Sequence, residues 1–320
     1  MNLESNLVCP KCKKELNKDG EVLKCSSCSS TFSKARGVWD LRTVLSDTKT
    51  GWDAEDFDRI YEISDKGFKD RTGNANSLGI PLIADAYLDS EKEGKIKDFI
   101  QEEKPSTVLD LGCSFGWFSF EMSERCPESH FYGVDISTFR ARLFQEQISA
   151  RKCTDKMLSA SANAEALPFA DNLFNVIVMD EVIEHLQNPS KAMVESVRVL
   201  KPGGHLIITT PSLFMTKFWK VFAIVPTFLK RLLKGESLVR KRTIKLHEEL
   251  LISSAMKTLF ASSGLEIIRW EKVIFFTHES YLQYIPVPLI RILLLIARLI
   301  GKIPFLGFLG LHHFIILKKK

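Results

Sequence analysis

A doubly wound α/β fold with a mostly parallel sheet is expected from three observations in this 320-residue chain. Beyond Thr107, near-continuous apolar runs alternate with helical patterns, as strands covered on both faces require. The runs close on turn residues, with Gly112 after TVLDL and Asp135 ending HFYGVD. The repeated order strand, helix, strand favours crossovers within one sheet over hairpins.

The elements follow in order. TVLDLG (107–112) reads as a buried strand and WFSFEMSERCP (117–127) as a helix. HFYGVDIS (130–137) is a second strand and TFRARLFQEQISARK (138–152) a second helix. FNVIVMD (174–180) is a strand. SKAMVESVRVLKPGG (190–204) predicts a helix stopped at its glycines, and HLIITTP (205–211) a strand. Residues 247–264 predict a helix ending at Gly264, residues 265–276 a strand, and HHFIILKKK (312–320) a closing strand. Ahead of Pro105, residues 86–104 predict an amphipathic helix.

Hydrophobic residues make up 45% of the chain and charged residues 26%, which excludes a disordered polypeptide. A net charge of +5 does not by itself point to nucleic acid. The opening MNLESNLVCPKCKK has no apolar core of a secretory signal, so a cytoplasmic location is expected. Residues 1–45 are expected to form a small cysteine module and 46–104 a helical connector. Residues 105–320 are expected to form the large domain, interrupted by a basic and apolar insertion at 212–245 and an apolar hairpin at 285–310.

Cys9-Pro-Lys-Cys12 and Cys25-Ser-Ser-Cys28 form two CxxC pairs. Two such knuckles supply four thiolates to one tetrahedral Zn, leaving no open position, so the expected role is structural. Disulfides or unligated thiols are the alternative. The segment resembles zinc ribbons.

In VLDLGCSFGWF the chain turns from a strand ending at Asp110 through Gly112, Ser114 and Gly116 into a helix. Side chains are absent or small there, so backbone can approach a ligand at the carboxyl end of the strand. This run resembles motif I of class I S-adenosylmethionine (SAM)-dependent methyltransferases, D-x-G-x-G-x-G, with Ser114 in place of a glycine. The resemblance implies a seven-stranded sheet and SAM as cofactor. It implies Asp135 as acceptor for the ribose hydroxyls, a diol that suits a carboxylate. Asn163-Ala-Glu165 before Leu167-Pro168-Phe169 resembles the family's D-A-E-x-L-P-F segment near the adenine, with Asn163 for the usual aspartate. Asp180 closes the next strand, and LKPGGHLIITTP is similar to the family's strand before the acceptor region. Singly, such glycines also serve packing and such aspartates also cap helices.

Glu181, Glu184 and His185 follow Asp180 and would share one face of a helical turn. The string is similar to a loop of ubiquinone-pathway O-methyltransferases and small-RNA 3′-end methyltransferases, where acids and histidine hold a divalent metal. A divalent metal at Glu181, Glu184 and His185 is one reading. His185 as general base is a second, and packing or capping a third.

Residues 217–245 hold nine Lys and Arg against Glu236 alone, interleaved with Phe218, Trp219, Phe222 and Phe228. Residues 285–310 are apolar but carry Arg291, Arg298 and Lys302, which break a clean membrane span. Both predict peripheral contact with the inner face of a membrane, with a substrate lid as the alternative. The expected activity is methyl transfer to a small-molecule or lipid-linked acceptor, at oxygen. RNA or protein methylation gripped by the zinc module is the second reading; no aromatic stacking platform favours nucleic acid. A non-catalytic scaffold is the third.

Overall fold

A computed structural model describes residues 3–43, 58–59, 82–213, 215, 217–218, 253–274 and 286–320. Most of the basic insertion at 212–245, and most of the connector before residue 82, lie outside the described residues.

Seven strands make the predicted α/β sheet: β5 (Thr107–Leu111), β6 (His130–Asp135), β7 (Met157–Ser161), β8 (Phe174–Asp180), β9 (Leu200–Pro211), β10 (Leu265–Val273) and β11 (His312–Lys319). Their order is β7-β6-β5-β8-β9-β11-β10. The first five are parallel, and β11 inserts antiparallel between β9 and β10. The order reverses at β5, so the crevice for a ligand opens at the carboxyl ends of β5 and its neighbours.

The sheet is larger than expected. The cysteine segment folds into β1 (Leu16–Asp19), β2 (Val22–Cys25), β3 (Thr31–Ala35) and β4 (Val38–Asp40). β4 then pairs parallel with β7, Trp39 opposite Ala160 and Asp40 opposite Ser161, giving eleven strands in all. Leu3, Leu7, Leu23, Phe32, Trp39 and Leu41 share one apolar core with Leu109, Tyr132, Phe169 and Phe174. Segments of four short strands are too small to bury a core alone; this one uses the edge of the large sheet.

Helices cover the sheet: α1 (Leu82–Glu103), α2 (Trp117–Arg125), α3 (Thr138–Ala150), α4 (Pro189–Val199), α5 (Ser253–Ser262) and α6 (Val287–Gly301). The Ser137 hydroxyl caps α3 at Arg140 N–H and the Asn188 side chain caps α4 at Lys191 N–H.

Two expectations need correction, and one strand was not read from the sequence. Helix α4 stops at Val199 instead of running to the glycines. Pro202 disfavours helical backbone at Lys201, and its ring would collide with the carbonyl of Arg198. Strand β7, MLSAS, carries no apolar run, because its serines are satisfied within the protein. The Ser159 hydroxyl donates to Ala141 O at 2.9 Å, and Ser161 lies 3.2 Å from the Thr138 hydroxyl. The expected hairpin at 285–310 is instead helix α6 followed by a 3-10 turn at Pro304–Leu309. Among the described residues no helix is long and apolar enough to cross a membrane.

Candidate active site

The turn after β5 is built from steric exclusions. Gly112 has φ +83°, and a Cβ there would lie 2.4 Å from Val182 Cγ2. Gly116 has φ +76°, and its Cβ would lie 2.0 Å from the Phe144 ring. Gly133 on β6 meets the same ring at 2.4 Å. Phe144 of α3 is thus seated under the turn where two glycines leave room, and this packs helix, turn and strand together. Ser114 also takes the left-handed conformation, at φ 52°. Its N–H donates to Asp135 Oδ2 at 3.0 Å, and its hydroxyl accepts from Arg140.

Asp135 ends β6 buried at the floor of this turn. Its Oδ1 accepts from Ser137 N–H at 2.9 Å. An ionised carboxylate has about four acceptor sites; two are taken by backbone, which leaves capacity for a vicinal diol. Burial raises its pKa, opposed by the two N–H groups and Arg140. Asp110, at the end of β5, accepts a 2.7 Å bond from the Ser119 hydroxyl. Burial, with the negative charges of Asp180, Glu93 and Asp135, pushes its carboxyl up to about 7 despite that bond. A cationic ligand is what such a carboxyl lacks. The left-handed turn, the diol-ready carboxylate and an acid with no cation bonded to it among the described residues fit SAM, whose sulfonium and ammonium are positive.

The residues of the segment from Asn163 to Phe169 are placed differently. Asn163 Oδ1 accepts from Glu165 N–H at 2.8 Å, closing a local turn. Glu165 is buried and accepts from Asn188 N–H at 2.9 Å, so it ties the loop to the start of α4. The loop is clamped further on. Lys13 of the first cysteine knuckle donates to Leu167 O at 3.2 Å and pairs with Glu195 at 2.7 Å. Glu195 in turn accepts from Leu167 N–H at 2.7 Å.

Beyond β8 the acidic string does not form one helical face. Ile183–His185 is a single 3-10 turn, and Glu181 precedes it in the left-handed region at φ 55°. Glu181 faces His312 Nδ1 of β11, 3.0 Å from its Oε1, and lies 3.8 Å from Lys92 of α1. Lys92 also pairs with Asp180 at 3.1 Å. Burial alone would raise the Glu181 carboxyl, but His312 and Lys92 overcome it and hold it at about 2. Glu184 turns inward to accept from the Thr210 hydroxyl at 3.1 Å; burial and the Glu181 charge push its carboxyl well up. His185 sits half-buried on the 3-10 turn. Among the described residues these three donors do not form a metal-holding group. A left-handed residue followed by a tight turn keeps them off the single helical face that was expected.

The cysteines do converge. Cys9, Cys12, Cys25 and Cys28 have sulfurs within 4.8 Å of one another, with Cys9 to Cys28 at 3.6 Å and Cys12 to Cys25 at 3.3 Å. Tetrahedral Zn with bonds of about 2.3 Å would place its sulfurs about 3.8 Å apart. None of the four is in a disulfide. The N–H groups of Ser27 and Cys28 point at Cys25 Sγ, both at 3.4 Å, as donors to a thiolate do. The cluster can hold a tetrahedral metal.

Two groups of the site had no sequence signal. Lys92 lies in an ordinary charged helix, and His312 comes from the last strand. Only the insertion of β11 beside β9 brings that strand's first residue to the carboxyl ends of the parallel strands.

Comparison with known proteins agrees with this geometry. Residues 109–208 match the methyltransferase domain family. A demethylmenaquinone methyltransferase of Bacteroides fragilis is 26% identical over 214 residues, 64% of this chain and 83% of the relative. The chloroplastic tocopherol O-methyltransferase of Arabidopsis thaliana is 28% identical over 155 residues, 48% of this chain and 41% of the relative. The solved structure of the 4+2 cyclase SpnF superposes with a TM-score of 0.53 at 14% identity, over 84% of this chain and 97% of that one, a likeness of fold alone. The domain match, the relatives and the glycine turn after β5 together show that this chain carries a SAM-dependent methyltransferase domain.

Proposed function

We propose that this enzyme methylates the hydroxyl oxygen of a lipid-linked acceptor met at a membrane surface, on the inner face. The observation that carries the reading is the outer face of α6. Leu289, Ile292, Leu295, Ile296 and Leu299 form a stripe at helical spacing, all exposed, Leu295 by 61%. Ile290, Leu294 and Ala297 bury the opposite face, so the helix is apolar on both sides. A helix of that kind needs cover on both sides. Arg291, Arg298 and Lys302 flank the stripe, the pattern of a helix lying in a headgroup layer. Helix α6 packs on α1, the helix that carries Lys92 to Asp180 and Glu181. The names of the relatives, a demethylmenaquinone methyltransferase and a tocopherol O-methyltransferase, support a lipid-soluble acceptor.

SAM, when bound, supplies a methyl group already activated on a cationic sulfur. Asp135 would hold its ribose, and Asp110 and Asp180 lend negative charge to its cationic part. With the donor activated, the protein has only to align the acceptor and take one proton. The four cysteines would hold Zn as a structural centre.

The test has two arms. Vesicle flotation should retain the wild-type protein on anionic lipid and lose it for an Ile292→Glu/Leu299→Glu double variant. Lipid extract incubated with methyl-labelled SAM and enzyme should yield labelled material whose methyl sits in an ether and is released by hydriodic acid as methyl iodide. Label confined to RNA or protein, or equal flotation of both proteins, refutes the proposal. Label on ring carbon refutes the choice of oxygen.

A further inference from the structure

We infer that His312, oriented by Glu181, is the base that removes the acceptor's proton. The inference rests on the reading of the enzyme as a hydroxyl methyltransferase. It replaces His185, the histidine next to the acidic string, with one from the far end of the chain.

The geometry has the two links of a base and its orienting acid. His312 Nδ1 lies 3.0 Å from Glu181 Oε1, while among the described residues Nε2 has no hydrogen-bond partner. The His312 side chain is 24% exposed, enough to meet a substrate and later release a proton to water. Glu181 is itself fixed, with its Oε1 accepting from the Thr209 hydroxyl at 3.1 Å and its own N–H bonded to Thr209 O at 3.2 Å. An anionic Glu181 keeps the proton of a neutral imidazole on Nδ1 and leaves the Nε2 lone pair outward. The adjacent His313 shows the contrast. Strand alternation turns it into the core, where Nδ1 accepts from Trp270 Nε1 at 2.9 Å. Burial lowers it to about 4, so it stays neutral.

The charged and titratable groups around His312 are Glu181 and Asp180 at the end of β8, Glu184 on the 3-10 turn, Lys92 from α1, and His313 and Lys272 beside it on β11 and β10. Lys92 is committed to the two acids, and burial with the Glu181 charge pushes the Glu184 carboxyl up while it accepts from the Thr210 hydroxyl. His312 is thus the member of the group with a ring nitrogen that has no hydrogen-bond partner among the described residues.

In the transfer, the acceptor's hydroxyl proton moves to Nε2 while its oxygen forms the bond to the methyl carbon. The sulfur–methyl bond breaks with its electron pair left on sulfur. The imidazolium keeps Nδ1–H toward the Glu181 carboxylate and then gives its new proton to solvent.

The experiment compares wild type, His312→Gln, His185→Gln and Glu181→Gln with methyl-labelled SAM and a panel of hydroxylated aromatic lipids across pH. SAM binding is measured by calorimetry and histidine tautomers by nitrogen-15 NMR. His312→Gln should lower kcat by about 100-fold, in the range of general-base catalysis. It should abolish the acidic limb of the pH profile and leave the Kd for SAM within about threefold. His185→Gln should keep the limb, whatever its rate. In NMR, His312 should be the Nδ1–H tautomer, a preference lost in Glu181→Gln. An acidic limb that survives in His312→Gln, or an Nε2–H tautomer in wild type, overturns the inference. A wild type that labels no hydroxylated acceptor defeats the functional reading instead, and the tautomer then decides the histidine's role alone.

Discussion

Replacing Asp110 with asparagine should make the protein more stable and weaken its hold on SAM. Asp110 is a buried acid whose one hydrogen-bond partner among the described residues is the Ser119 hydroxyl, 2.7 Å away. Burial and neighbouring acids raise its carboxyl from 3.8 to about 7. The native protein therefore holds this proton more tightly than the unfolded chain does. Between pH 4 and 7 the native state binds the extra proton, so the contribution of Asp110 to stability falls as pH rises through that window. Above pH 7 the whole penalty applies; a rise from 3.8 to about 7 corresponds to about 4 kcal/mol at most. Asparagine keeps the shape and an acceptor for Ser119 but carries no charge. Urea unfolding followed by circular dichroism should show Asp110→Asn more stable than wild type by about 2–4 kcal/mol at pH 8 and equal within about 0.5 kcal/mol at pH 4. Calorimetry should show SAM binding weakened by about tenfold or more, since a charge-assisted contact contributes roughly 1.5–3 kcal/mol. A variant less stable than wild type at pH 8, or a difference that ignores pH, would refute the reasoning.

Other outcomes follow from the same geometry. Gly116→Ala drives a methyl into Phe144 at a left-handed position and should cost about 2–5 kcal/mol in urea unfolding; Phe144→Leu added to it should recover part of the loss. Ser114→Gly removes a left-handed side chain and one contact to Arg140; SAM affinity by calorimetry should stay within about threefold, because the Asp135 bond uses the backbone N–H. With Zn held by the four cysteines as proposed, stripping it with a chelator should weaken SAM binding as well as stability, since Lys13 of the knuckle clamps Leu167. Lys13→Met should reproduce the binding loss, about 3–10-fold, with metal content unchanged by atomic absorption.

The α/β layering and the glycine turn after β5 were legible because both are local. Strand runs such as TVLDL and FNVIVMD state their burial in their own residues. The turn at Gly112 and Gly116 needs residues without side chains wherever the chain goes. The cysteine pairs were legible for the same reason, since two ligands per knuckle are set by a spacing of three. Strand β7 was hidden because its serines find partners on α3, a long-range satisfaction that leaves no apolar trace.

By itself, then, the order of residues determined the layer architecture, the motif I cradle and the four-sulfur group, each the product of contacts within a few residues. Tertiary structure alone decided that the cysteine segment joins the large sheet, that Lys13 reaches the loop at Leu167, and that Glu181 meets Lys92 and His312. Glu181 and His312 are 131 residues apart. No local pattern encodes such a meeting, because it depends on which strand β11 chooses as its neighbour, and that choice is made by the packing of the whole sheet.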